Sequence, residues 1–412
     1  MAGATLSFGN AARSASQKCT RTYSRDGGNG RLPRRDPAVT RKPDDAGLLL
    51  LHRAIANAGD ALILERARRL IANVHPRTRL DIGEAWHPLD EQIPAERLRR
   101  YRAIVICGGP GYARGIARLY PLGPLDELPP LVLLALGSHV IPGTNRQLAA
   151  FRFDALDGKF LDATLARSAY LGARDPLTVE LLNRNGYQRV LMTGDPAWYD
   201  LEAIDRPIRT PIAFKAVAFT PPANPAFHGQ ACRLFRALAD AVPQAQGRVV
   251  FHRGVQRSYA ALAERHGWQC VDISGRQEGF RIYDEMDLHV GYRVHAHLYS
   301  TSVGTPSYVI AEDSRGIGVL RSFPGLGLAA FPAERPLPWL EIGIGALARP
   351  RRRPIRRSVR PFEHLLGLPD ISGPLMATIE RDLAGGFPAH AQARDTIRAT
   401  LPVMRQMIES IP

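Results

Sequence analysis

The sequence predicts an α/β protein of two similar halves, each a mostly parallel sheet covered by helices. Three observations predict it. Short continuous apolar runs end in glycine, as central parallel strands do when helices cover both faces. Segments with helical apolar spacing lie between those runs. The length, 412 residues, exceeds what one hydrophobic core supports, whereas an apolar content of 45% with 23% charged residues is ordinary for a globular chain.

Folding begins near Ala46, where Gly47-Leu48-Leu49-Leu50-Leu51-His52 opens an apolar segment that runs to Asn57-Ala58-Gly59-Asp60. Ala61, Leu62, Leu64, Ala67, Leu70 and Ile71 then recur mostly at steps of three and four, predicting a helix over 61–73 with Asp60 as its cap. Ala103–Cys107 before Gly108-Gly109-Pro110-Gly111, and Leu131–Leu136 before Gly137-Ser138, read as buried strands. Ser168–Ala173 is the next, followed by Asp175 as cap and Pro176 as first residue of a helix through Leu182. Val190–Thr193 is another, ending in Gly194-Asp195-Pro196.

The polar, proline-bearing stretch from Asp205 to Pro211 marks the boundary between an N-terminal domain over 46–205 and a C-terminal domain over 206–345. The second series runs as a strand at Ile212–Phe219, a helix over 231–242, a strand at Arg248–His252, a helix over 258–266 and a strand at Cys270–Ile273. Asp287–Tyr292 is a strand, His295–Val303 a helix closed by Gly304, and Pro306–Ile310 a strand. An Arg-rich linker occupies 346–360, and 361–412 has helical character. No internal period of solenoid type is present.

The net charge of +15 raises nucleic-acid binding, and its distribution argues against it. Residues 1–45 carry nine Lys or Arg against four Asp, and 346–360 carry seven Arg and no acid, so the folded remainder is close to neutral. No aromatic motif or basic recognition helix accompanies these charges. The first 45 residues read as a disordered basic extension, with an organelle transit peptide as the rival reading; they lack the apolar core of a secretory signal. The run from Arg349 to Arg360 is a candidate for peripheral contact with anionic lipid head groups, with a solvated linker as the plainer alternative. Cys19, Cys107, Cys232 and Cys270 are far apart and lack metal-ligand spacing, which predicts a reducing, cytoplasm-like compartment and no metal site.

In open α/β sheets, ligands bind beyond the carboxyl ends of the strands, where helix N-termini attract anions. Asn57–Asp60, Gly108–Gly111, Gly172–Asp175, Gly194–Pro196 and Gly291–Ala296 fall at such places. The first two are as readily a capped turn and a loop passing close to a helix. Neither matches the dinucleotide fingerprint, and no Walker sequence occurs. Arg293 and His295 are the sharper pair: they follow a strand and open a helix, joining a charged planar fork for carboxylate or phosphate to a group that exchanges protons near neutral pH. The plainer reading is a helix-capping histidine beside a surface ion pair. Arg174 either reaches into the cleft from a strand end or makes a salt bridge beside the Asp175 cap.

In order, these segments resemble the polysaccharide pyruvyl transferase family. Asn57-x-Gly59-Asp60 enters a helix, an apolar strand leads into Gly108-Gly109, and Ala173-Arg174-Asp175 precedes Gly194-Asp195-Pro196-Ala197. Asp287-Leu288-x-Val290-Gly291-x-Arg293-x-His295-Ala296 leads to Gly304-x-Pro306, and the likeness spans roughly 47–330. The resemblance implies two Rossmann-like domains in a GT-B-like arrangement, here with a C-terminal helical extension. It also implies transfer of pyruvate from phosphoenolpyruvate, the donor, onto hydroxyls of a glycan or glycolipid precursor as a ketal, without further cofactor. It places His295 as catalytic residue and Arg293, Val294, Arg174, Asn57, Gly59, Asp60, Gly108 and Gly109 as substrate contacts. Pro110 stands where the family often has a third glycine, which removes one backbone N–H from that loop. A nucleotide-sugar glycosyltransferase and a non-catalytic glycan-binding protein of the same fold are the alternatives.

Overall fold

The computed structural model describes residues 46–53, 56–334, 338–348 and 366–412. The N-terminal half holds β1 (Leu48–His52), β2 (Leu80–Glu84), β3 (Ala103–Cys107) and β4 (Leu131–Leu134), parallel in the order β2-β1-β3-β4. The parallel pair β5 (Leu171–Ala173) and β6 (Val190–Met192) continues this sheet through a single bridge between Leu136 and Ala173. The second sheet contains β7 (Ala216–Thr220), β8 (Gln246–Phe251), β9 (Gln269–Asp272), β10 (Leu288–Gly291), β11 (Ser307–Ala311) and β12 (Gly327–Ala329). Its order is β12-β11-β10-β7-β8-β9, all parallel, so its strands counted from first to sixth lie 3-2-1-4-5-6, the Rossmann order.

The longer helices are α1 (Ala58–Val74), α2 (Ala155–Arg167), α3 (Pro176–Arg184), α4 (His228–Ala241), α5 (Arg257–Arg265), α6 (Val294–Ser302), α7 (Ser314–Ser322), α8 (Pro338–Ala348), α9 (Ser372–Gly385) and α10 (Pro388–Glu409). The glycine-ended runs are continuous because their alternate residues feed different cores: in β1, Leu48 and Leu50 face one and Leu49 and Leu51 another. The core holding Leu48 and Leu50 is shared by both halves. It gathers Leu62 and Ile71 of α1, Ala296 and Leu298 of α6, Val309 of β11, and Ile397 and Met404 of α10. The C-terminal helix is thus wedged between the sheets. The architecture is two Rossmann-like halves face to face with a helical extension, as the resemblance implies.

Several boundaries differ from the sequence expectation. The first helix starts at Ala58 with Asn57 at its N-cap position, and Asp60 sits inside the first turn, where its carboxylate accepts from Asn57 Nδ2 at 3.0 Å; Asp60 is not the cap. The strand expected at Ser168 starts at Leu171, because Ser168 ends α2 and donates its hydroxyl to Leu131 O. The one expected at Ile212 starts at Ala216, where neighbours β8 and β10 first become available, and Ile212 itself is exposed. Leu131–Leu136 stops at Leu134, since Ala135 turns to φ 56° and sends Leu136 across to Ala173. The basic extension 1–45 and the run from Arg349 to Arg360 lie outside the described residues.

Candidate active site

Each sheet has a switch point where the connections diverge, the place at which ligands bind in open α/β sheets. In the C-terminal sheet it lies between β7 and β10. Thr220, closing β7, accepts a hydrogen bond from Arg293 N at 3.3 Å through Oγ1, and that oxygen also contacts His289 Nε2 at 2.9 Å. Arg293 is the N-cap residue of α6. The N–H groups of Val294, His295 and Ala296 precede the first intrahelical bond, from His297 N to Arg293 O, and so point toward any anion at this end. The side chain of Val294 packs against the shared core, which leaves only its backbone for such a contact.

In the N-terminal sheet the switch point lies between β1 and β3. The chain leaves β1 through Arg53 and enters α1 through Asn57; from β3 it leaves through Gly108 and Gly109, at φ 62° and 83°. A side chain at 108 would meet Ile63 of α1 at 2.7 Å, so this glycine lets the loop lie against the helix.

The two switch points meet. A Cβ placed on Gly59 would lie 2.3 Å from His295 Nδ1, and Ala58 N donates to His252 O at 3.2 Å. Nearby, Ser314 Oγ, at the start of α7, donates to Ser138 O at 3.1 Å and accepts from Val140 N at 2.8 Å. His295 is only 13% exposed, so the seam between the halves is nearly closed around it. Its Nε2 is buried, forms no hydrogen bond among the described residues, and lies 3.9 Å from Asp195 Oδ2, which likewise has none. Asp195 caps a one-turn 3-10 helix by accepting from Ala197 N at 2.9 Å.

Arg174 is 1% exposed and stands between two carboxylates, its Nε donating to Asp175 Oδ2 at 3.3 Å and its Nη1 3.5 Å from Asp195 Oδ2. Gly137 makes room for its guanidinium. Arg174 is therefore an ion-paired residue beside the Asp175 cap, and it shares Asp195 with His295. Asp175 caps α3 through Thr178 N, as expected.

Burial pushes the His295 imidazole down to about 3, and the charges of Arg174, Arg315, Arg293 and Arg53 push the same way. The imidazole is therefore neutral near pH 7. Burial raises Asp195 against the opposing pull of Arg174, and raises Asp60 against that of Arg53. The guanidinium of Arg293 is depressed by burial, with Glu312 opposing, and its Nε has no hydrogen-bond partner among the described residues. The seam thus holds several guanidinium charges around a buried imidazole.

The structure thus brings together Arg293, Val294, His295, Arg174 and Gly59. Asn57 and Asp60 engage each other, and Gly108 and Gly109 flank the seam through Ile63 and Arg53. Sequence reasoning passed over three members. Asp195 lies in the strand-end segment Gly194–Pro196 but is given no role by the sequence, and Arg53 and Arg315 are given none either. The signal for Arg315 was present: Asp313 caps α7 directly after β11, the strand–Asp–helix pattern of Asp175, and its carboxylate holds the Arg315 guanidinium at 2.6 Å. Among the described residues no group of three or more His, Cys, Asp or Glu could hold a metal ion.

Fold and site together define a two-domain α/β protein with arginine, histidine and aspartate side chains gathered at the seam between its halves. The sequence profile of the polysaccharide pyruvyl transferase family matches residues 57–314, well over half of the chain, and the chain belongs to that family. No curated protein matches it in sequence. Solved structures similar to it include HepE from Anabaena in complex with UDP and glucose, at 11% identity and TM-score 0.45, covering 88% of this chain and 98% of that one. The UDP-GlcNAc 2-epimerase from Neisseria meningitidis bound to UDP-GlcNAc matches at 10% identity and TM-score 0.41, covering 76% and 94%. A variant of the wall teichoic acid polymerase TagF matches at 10% and 0.42, covering 90% and 89%.

Proposed function

We propose that this protein transfers pyruvate from phosphoenolpyruvate onto two hydroxyls of a sugar, giving a cyclic ketal and inorganic phosphate. The observation that carries the reading is a pair of buried nitrogens at the N-terminal end of α6, His295 Nε2 and Arg293 Nε, neither with a hydrogen-bond partner among the described residues. A donor with nearly three negative charges suits this place, where guanidinium groups and helix N–H groups face one way.

In this reading Arg293 and the first N–H groups of α6 hold the donor. Its arrival offsets the surrounding positive charge and raises the His295 pKa, so that the imidazole takes up a proton and delivers it to the methylene carbon. A sugar hydroxyl adds to the neighbouring carbon and gives up its proton. Phosphate then leaves with the C–O bond electrons, and a second hydroxyl closes the ketal, losing its proton in turn. Asp195, buried 3.9 Å from His295 Nε2, is the carboxylate placed to exchange protons with the imidazole between these steps.

The test is incubation with phosphoenolpyruvate and galactosyl, mannosyl and N-acetylmannosaminyl acceptors, following phosphate release. Release with one acceptor, lost in His295→Ala, is the expected result. Folded protein that releases none with any of them, and gains thermal stability with UDP- or GDP-sugars but not with phosphoenolpyruvate, would replace this reading by a glycosyltransferase.

A further inference from the structure

We propose that Trp86 and Arg53 form the subsite for the acceptor, with the indole carrying the apolar face of a neutral pyranose ring and the guanidinium binding its hydroxyl rim. This rests on the donor being held at Arg293 and His295, because a second substrate must then enter from the rim of the same seam.

Trp86 follows β2 directly. Ala85 N donates to His52 O at 2.8 Å, which sets the indole beside the end of β1, at the N-terminal switch point. The Arg53 guanidinium lies 4.3 Å from the centre of the Trp86 ring. Its stem passes Gly109, where a Cβ would come within 3.0 Å of Arg53 Cδ, and its Nη1 donates to Pro110 O at 3.2 Å. Arg53 thus joins the exposed tryptophan to the glycine loop after β3, and its charge reaches His295.

Two features point to a ligand. The first is exposure: Trp86 is 39% exposed, whereas Trp198 and Trp268 are buried and Trp339, on α8, belongs to another part of the surface. The second is unused hydrogen-bonding capacity. A guanidinium has five N–H donors, and among the described residues the side chain of Arg53 uses one; its buried Nε has no partner. A sugar ring has an apolar C–H face and a rim of hydroxyls, and a flat indole beside a planar array of donors matches both.

The test uses the full chain carrying Trp339→Phe, so that Trp86 is the remaining exposed indole. Methyl galactopyranoside, methyl mannopyranoside and N-acetylmannosamine are each titrated in without phosphoenolpyruvate while tryptophan emission is followed. One of them should give a saturable change that vanishes in Trp86→Ala and returns in part as a binding signal, read by calorimetry, in Trp86→Phe. In turnover, Trp86→Ala should raise the acceptor KM about tenfold and leave the phosphoenolpyruvate KM unaltered. A response to no sugar, a response that persists in Trp86→Ala, or a rise in the phosphoenolpyruvate KM instead would overturn the proposal. A sugar response at Trp86 in a chain that releases no phosphate from phosphoenolpyruvate would uphold the subsite and discard the donor reading.

Discussion

Gly59→Ala separates stability from activity more cleanly than any other change at the seam. A Cβ at this position lies 2.3 Å from His295 Nδ1, 2.8 Å from Cγ and 3.1 Å from Cβ of the same ring. Non-bonded heavy atoms settle at about 3.5 Å, so the imidazole must retreat by roughly 1 Å or the two halves must part by as much. A misplacement of that size at a reacting group costs on the order of a hundredfold in rate. Helix propensity runs the other way: Gly59 occupies the first turn of α1, and alanine in a helix is favoured over glycine by about 0.5–1 kcal/mol. The expected result is a melting temperature close to that of the parent, with acceptor-dependent phosphate release reduced about a hundredfold. The His295 ring resonances should shift in the NMR spectrum. Phosphate release within about threefold of the parent, with unmoved His295 resonances, would refute the claim that close approach of α1 to this imidazole sets the site.

Two other predictions concern stability. His289 is fully buried between Thr220 Oγ1 and Ser307 Oγ, and burial pushes it down to about 3. An unfolded histidine titrates near 6.5, so through the window from about 6.5 down to about 3 the unfolded chain binds the extra proton and the native chain does not. Stability therefore falls as pH falls through that window, by about 1.4 kcal/mol per pH unit for one such group, and His289→Gln should flatten the pH dependence of urea unfolding by that slope. An unaltered slope would show that His289 takes up its proton in the native state. Arg394→Met should lower stability by about 3 kcal/mol or more in the same assay. Arg394 is 1% exposed and donates to the carbonyls of Thr301, Ser302, Ala203, Ile204 and Arg206; methionine removes all five bonds, and Thr301, Ala203 and Ile204 keep another donor whereas Ser302 and Arg206 lose this one. A methionine variant as stable as the parent rejects that account.

Much of the fold was legible because buried parallel strands write themselves as unbroken apolar runs. β1 and β3 are of this kind, and with β7 and β10 they are the strands that end at the switch points. The edge strand β2 was missed because Leu80-Asp81-Ile82-Gly83-Glu84 is half exposed and its polar positions break the run. β12 was missed because three residues of glycine, leucine and alanine carry too little pattern. At the site, Arg293 and His295 could be read because two residues of unlike chemistry open one helix. Asp195 could not, since its importance lies in reaching His295 across a hundred positions of sequence, a proximity that only the packing of one half on the other creates. Gly59 was legible as a turn glycine, but not as the residue that leaves space for an imidazole from the opposite half.

Arg394 has a consequence for how the molecule comes into being. It sits on α10 and grips both the C-terminal end of α6 and the stretch at 203–206 that leads from one sheet to the other. During synthesis both sheets emerge and can pair their strands before this anchor exists, because the ribosome makes α10 after everything it braces. The bonds that tie α6 to the 203–206 stretch through Arg394 form only once those late residues arrive. A nascent or prematurely stopped chain can therefore be well folded in each part and still lack these bonds.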